Sequence, residues 1–307
     1  MYTLLEYEKL TGLASYLEPA PSKEKNSHLF CVLLAFSLFI FVFSCNYTPT
    51  ANQSRYVVLS PEIAEILASL NVSDRIVGVT QECDYPPVLQ DKEIVGNFGK
   101  VSLEKVVALK PNIVFTTALE QNAIAFQLEK LRIKTVQMYP HTIPEMLKMI
   151  TELGDITEQQ STADSLVSYL TQQFSLWEEK VVNMMYKPKV YLEIYGNPIM
   201  SADNSSYLGQ LLLYAGGVNI FPVLPRDYAR VNSEDVVQLN PDIIIIFYPG
   251  LSREDIINRK GWRDIRAVRN NRIYTEKDLN SDLFLRAGPR NVEGIQILGS
   301  IIGENSH

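Results

Sequence analysis

Short apolar runs alternate with amphipathic stretches along most of the chain. Residues 56–60 read Tyr-Val-Val-Leu-Ser, a run of the length of a buried strand, and Ser60-Pro61 opens an amphipathic helix through Leu70. Residues 75–80 (RIVGVT) predict a second strand. Strand and helix keep alternating from there, the pattern of parallel α/β layers.

The pattern repeats at an offset of 130 residues. Residues 101–114 (VSLEKVVALKPNIV) align with residues 231–244 (VNSEDVVQLNPDII). In each copy Ser or Asn can cap a short helix, with a glutamate in the first turn where the helix dipole favours it. A Val-Val pair and a Leu at helical spacing supply the buried face, Pro111 or Pro241 is expected to stop the helix, and an apolar run predicts a buried parallel strand. Two related α/β lobes are the simplest account. Between the copies, Ala163, Leu166, Leu170, Phe174, Trp177, Val181 and Met184 recur every three or four residues. A helix over residues 158–185, about 40 Å long at about 1.5 Å per residue, would cross from one lobe to the other. The predicted organisation is an N-terminal lobe at 55–157, a linking helix at 158–187 and a C-terminal lobe at 188–307.

The amino terminus departs from this pattern. Residues 29–44 are uniformly uncharged and largely apolar, follow Lys23 and Lys25, and end at Cys45. The run is shorter than the roughly 20 residues of a membrane span and fits a secretory signal. Val42-Phe43-Ser44-Cys45 resembles a lipobox, which makes Cys45 the expected lipidation site; a single uncleaved span is the alternative. Either arrangement puts the remainder outside the cytoplasm. Residues 46–54 read as a polar tether. Residues 1–28 are expected to lie outside the fold, as an upstream extension or a misassigned start.

Composition then removes several functions. A formal net charge of -7, with no basic run interleaved with aromatics, argues against nucleic acid. Of three histidines only His141 falls inside the predicted lobes, which excludes a multi-histidine metal site and leaves His141 as a loop residue. Cys83 is the one cysteine left after Cys31 and Cys45, and it reads as a small buried apolar residue. No Walker loop, dinucleotide fingerprint or nucleophile elbow is present, and Gly216-Gly217 reads as a helix end. The chain is expected to have no enzymatic activity and no cofactor.

Ser60-Pro61, Val77-Gly78-Val79-Thr80, Asp84-Tyr85-Pro86-Pro87, Val95-Gly96, Leu103-Glu104, Ala108-Leu109-Lys110-Pro111 and Ala287-Gly288-Pro289-Arg290 together resemble the cobalamin, haem and ferric-siderophore binding proteins of ABC importers. The similarity runs from about Arg55 to about Gly303. It implies two α/β lobes joined by one long helix, a monomer that holds one small molecule between its lobes, small closure on binding, and delivery to a permease.

The cobalamin-binding branch of that family is the most similar. The resemblance implies that Glu104 and Glu234 dock on permease arginines, one from each lobe. It also places Phe98 and Tyr228, each six residues before its glutamate, where tryptophans face a corrin ring. Asp282 and Arg286 match polar contact positions, and Met200 matches an aromatic contact. The departures are the two lost tryptophans, Met200 in place of phenylalanine, and Glu82 where a tyrosine would face the ligand. They leave haem and a ferric siderophore open as ligands. Haem would need an axial ligand from Tyr85, Tyr228 or Tyr248, and a siderophore would use Arg226, Arg230 and Arg286.

Overall fold

Two parallel sheets with the same core strand order organise the computed structural model, which describes residues 54–117 and 121–303. The signal run, Cys45 and most of the tether lie outside the described residues.

The N-terminal lobe begins with β1 (Tyr56–Val58), α1 (Pro61–Ser69), β2 (Ile76–Thr80), β3 (Glu93–Asn97) and β4 (Lys100–Val101). It continues through α2 (Leu103–Ala108), β5 (Ile113–Thr116), α3 (Asn122–Lys130), β6 (Lys134–Gln137) and α4 (Ile143–Thr157). Its six strands run in the order β4-β3-β2-β1-β5-β6, all pairings parallel except the β3–β4 hairpin. Helix α5 (Gln160–Val182) then leads to the C-terminal lobe.

That lobe holds β7 (Lys189–Glu193), β8 (Tyr195–Gly196), β9 (Ile199–Ala202), α6 (Tyr207–Tyr214), β10 (Val218–Asn219), β11 (Tyr228–Arg230) and α7 (Ser233–Leu239). It closes with β12 (Ile243–Ile246), α8 (Arg253–Ile257), α9 (Arg266–Arg269), β13 (Ile273–Tyr274), α10 (Asp282–Leu285) and α11 (Asn291–Gly303). The parallel order β10-β7-β12-β13 matches β2-β1-β5-β6 strand for strand. A separate antiparallel sheet, β11-β9-β8, has no counterpart in the first lobe. The repeat in sequence is therefore a repeat in topology.

The central strands are buried on both faces, as helix-covered parallel strands must be. Val57, Leu59 and Val114 pack outward in a small cluster, and Tyr191, Ile244 and Ile246 do the same in the other lobe. Val58, Phe115, Leu192 and Ile245 point the other way into one cluster that both lobes share. Helix α5 runs through this shared core. Its Phe174 ring lies 5.3 Å from that of Tyr214, and Trp177 fills the space beside Gly299 of α11.

Local details correct three expectations. The linking helix is shorter than the apolar pattern suggested: 23 residues, about 35 Å. Glu158 adopts a left-handed conformation (φ 60°) that ends α4 and turns the chain back, and a Cβ at Gly154 would come within 2.4 Å of Ala163. The apolar period continued across the break because α4 and α5 face the same core. The repeated helices end before their prolines, with Lys110 and Asn240 both left-handed (φ 48° and 47°). The caps also differ. The Ser102 hydroxyl accepts from the Lys105 N–H at 3.3 Å, whereas the Asn232 amide makes no such bond and donates to Asp235 at 3.0 Å.

Candidate functional site

The parallel strands of the first lobe all deliver their carboxyl ends to one side, and a cavity of about 270 Å3 lies there between the lobes. Pro61 and Glu62 follow β1, Thr117 follows β5, and Tyr139 and Pro140 follow β6. Phe98 enters from the β3–β4 turn. Tyr207, Tyr228, Leu285, Arg286 and Ala287 complete the wall from the second lobe. The volume lies at the small end of the roughly 300–1,000 Å3 usual for ligand pockets.

Phe98 is held by its own backbone. Its N–H donates to a Glu82 carboxylate oxygen at 2.9 Å, so Glu82 fixes the turn that carries the ring. Tyr228 starts β11, opposite Ala202. Burial pushes its phenol well above the ordinary range, and the neighbouring Tyr139 pushes the same way.

Arg286 belongs to an ion network across the lobes. Its guanidinium reaches Glu65 of α1 at 3.0 Å, Asp84 at 2.8 Å and Asp282 at 2.8 Å. Arg290 grips the buried Glu65 with two bonds at 2.5 and 2.8 Å and stacks over the exposed Tyr85 ring at 3.9 Å. Burial raises the Asp282 carboxyl pKa against the pull of Arg286. Both oxygens of the Glu65 carboxylate are thus paired with guanidinium groups.

His141 is more than a loop residue. Its Nδ1 meets Asp227 at 3.0 Å, and the Ile143 N–H donates to Gln210 at 3.1 Å, so this rim is also bridged between lobes. Cys83 is buried as expected, and burial pushes its thiol up to about 12. Among the described residues no cluster of His, Cys, Asp and Glu could hold a metal ion, and no helix is long and apolar enough to cross a membrane.

The structure thus brings Phe98, Tyr228 and Arg286 to one cavity. Glu82, Tyr85 and Asp282 surround them as supports, and the exposed Arg226 and Arg230 stay outside the lining. Met200 lies on β9 opposite Arg230, also outside the lining. Tyr248 belongs elsewhere. Its hydroxyl donates to Glu193 at 2.5 Å, and Arg259 pairs with the same carboxylate. Burial and Glu193 both raise the Tyr248 phenol pKa.

Glu104 and Glu234 are each the exposed second residue of a short helix, α2 and α7. Helix α2 runs back to the start of β5, whose far end lines the cavity, so Glu104 lies at the cavity end of its lobe.

Glu62, Thr117 and Tyr139 were missed by motif matching. A signal for them existed: ligands of open parallel sheets bind beyond the carboxyl ends of the strands, and these residues follow β1, β5 and β6.

Two lobes with matching parallel sheets, one linking helix and a cavity at the strand ends define a solute-capture architecture. The chain belongs to the periplasmic binding protein family, matched over residues 57–278. It is similar to the uncharacterized ABC transporter substrate-binding lipoprotein YvrC of Bacillus subtilis (strain 168), with 28% identity over 255 residues, covering 81% of this chain and 79% of that protein. A vitamin B12-binding protein of Vibrio parahaemolyticus is 24% identical over 245 residues, 78% of this chain and 86% of its own. The crystal structure of a possible iron-binding (periplasmic solute-binding) protein from Staphylococcus epidermidis ATCC 12228 superposes with a TM-score of 0.71 at 27% identity, over 81% of this chain and 98% of that one.

Proposed function

We propose that this chain is the extracytoplasmic solute-binding component of an ABC importer. Tethered through a lipidated Cys45, it captures cobalamin or a related corrinoid between its lobes and delivers it to a permease. The observation that carries this reading is a cavity lined by an aromatic ring from each lobe, Phe98 and Tyr228. Flat apolar surface on both sides suits a flat macrocycle and contributes beyond its buried area. The named roles of YvrC and of the vitamin B12-binding protein support the same role here. Glu104 and Glu234, one exposed at each repeated helix start, are the proposed contacts with permease arginines.

A ferric siderophore or haem is the second reading, favoured by the similarity to a possible iron-binding protein. The tyrosines speak against haem. An iron-bound tyrosine gives up its proton, yet burial opposes ionisation of Tyr228 and Tyr248, and Tyr85 is stacked beneath Arg290.

Calorimetric titration of the mature chain with cyanocobalamin, haemin and a ferric siderophore tests both. Saturable one-to-one binding of cyanocobalamin, weakened about tenfold or more by Phe98→Ala and by Tyr228→Ala, is the expected result. Binding of haemin or siderophore alone would keep the importer role and change the ligand. No binding of any of the three would sink the reading.

A further inference from the structure

The cavity holds one acid that the ion network leaves out. Glu62 lies in the first turn of α1, two residues past its cap Ser60, and faces the cavity beside Phe98 and Tyr228. Its neighbours in the fold differ from those of Glu65 one turn along. Glu65 is clasped by Arg286 and Arg290, whereas Glu62 forms no ion pair among the described residues. The nearest guanidinium, Arg286, is already engaged by Glu65, Asp84 and Asp282. Thr117 stands beside Glu62 in the same wall. Its hydroxyl is buried and its geometry falls short of a hydrogen bond with any group of the protein.

A buried hydroxyl short of a full hydrogen bond, beside a half-buried acid whose carboxyl has only the Ser60 and Thr117 hydroxyls near it and no ion pair, marks a place where a ligand completes the hydrogen bonding. Burial is the main reason the Glu62 carboxyl is raised above its ordinary 4.5, with Ser60, Thr117 and Arg286 opposing. In its protonated form, which burial favours, the carboxyl offers both an O–H donor and a carbonyl acceptor. An incoming carboxylate would set a negative charge beside this acid in a wall whose guanidinium, Arg286, is already paired. A neutral carboxamide fits: its carbonyl accepts from the acid, and its N–H donates to the hydroxyl.

We propose that Glu62 and Thr117 form a subsite that reads a neutral carboxamide on the ligand and discriminates against a carboxylate at that place. This rests on the reading of the cavity as the ligand site. It deepens that reading by selecting an amide-bearing corrinoid over the carboxylate-bearing haem.

The test is calorimetric titration of the detergent-solubilised full chain with cyanocobalamin and with haemin, for the unaltered protein and for Glu62→Gln, Glu62→Ala and Thr117→Val. Circular dichroism and thermal melting check that each variant is folded. The unaltered protein should prefer cyanocobalamin. Glu62→Gln, which keeps a neutral donor and acceptor, should hold that affinity within about threefold, and Glu62→Ala should lose about tenfold or more. Thr117→Val should fall between them. Affinity unchanged in both Glu62→Ala and Thr117→Val would overturn the subsite alone. Tighter binding of haemin than of cyanocobalamin would overturn the carboxamide preference while leaving an importer role standing. No binding of either by the unaltered protein would overturn the subsite together with the corrinoid reading.

Discussion

At the base of the N-terminal lobe, Asn112 and Arg55 exchange two bonds: the Asn112 side chain accepts the Arg55 N–H at 2.6 Å, and the Asn112 N–H returns one to the Arg55 carbonyl at 2.8 Å. Asp242 and Lys189 do the same in the C-terminal lobe, both at 2.8 Å. These pairs tie the start of β5 to β1 and the start of β12 to β7 at equivalent points of the repeat. The lobes then part company. The first adds the β3–β4 hairpin to its main sheet and carries Phe98 on that turn. The second detaches β8, β9 and β11 into a sheet of their own and carries Tyr228 there. What was kept is the part that sets strand order, and what diverged is the part that meets the cavity.

The braces themselves are unequal, which gives the largest expected contrast. Asp242 also accepts from the Tyr186 hydroxyl at 3.0 Å and pairs with Arg266 at 3.1 Å, while Asn112 has only the backbone bond. Asp242→Ala should cost about 2–3 kcal/mol and Asn112→Ala about 1 kcal/mol, read from urea unfolding midpoints at neutral pH. Equal costs would mean that the extra partners contribute nothing.

A smaller contrast lies one element earlier. Ser102→Ala removes a working cap and should cost about 1 kcal/mol. Asn232→Ala removes none and should stay within about 0.5 kcal/mol by the same assay. A reversed order would show that the Asn232–Asp235 bond replaces the missing cap.

The smallest effect is a slope with pH, and it belongs to one lobe. Past β1 stands the acid Glu62; past β7 stands the β8–β9 hairpin. Because the folded Glu62 carboxyl is raised above 4.5, the native state holds its proton more tightly than the unfolded chain. The stability this contributes is complete below that value and is lost as pH rises through the folded pKa. Asp282, raised from 3.8, has the same sign. Unfolding curves from pH 4 to pH 7 should therefore show Glu62→Gln gaining on the unaltered protein as pH rises. Parallel curves would remove the raised Glu62 carboxyl from the account.

Much of the architecture was legible because it is written in periodicity. The 130-residue offset predicted matching lobes, and the matched strand orders follow it. The overrun of the linking helix shows the limit of such reading, since two helices packed on one core share a period that a left-handed Glu158 interrupts. The cavity was legible only in part. Phe98 and Tyr228 were marked by their spacing from Glu104 and Glu234, but Glu62, Thr117 and Tyr139 come from three strands that meet only once the sheet is assembled. His141 and Asp227, 86 positions apart, were hidden for the same reason.

The shared core beneath the two sheets bears on ancestry and on dissection. Had each half once been a free-standing unit, its inner face would have needed a second copy to cover it. A fusion through α5 would have made that partner permanent. A chain cut before residue 158 would deprive the cluster of Met146, Ile150 and Leu153 of the α5 and C-terminal side chains that now join it. Such a half would invite proteases and self-association instead of serving as a smaller receptor, so natural selection can alter the rim of this protein far more freely than it can divide it.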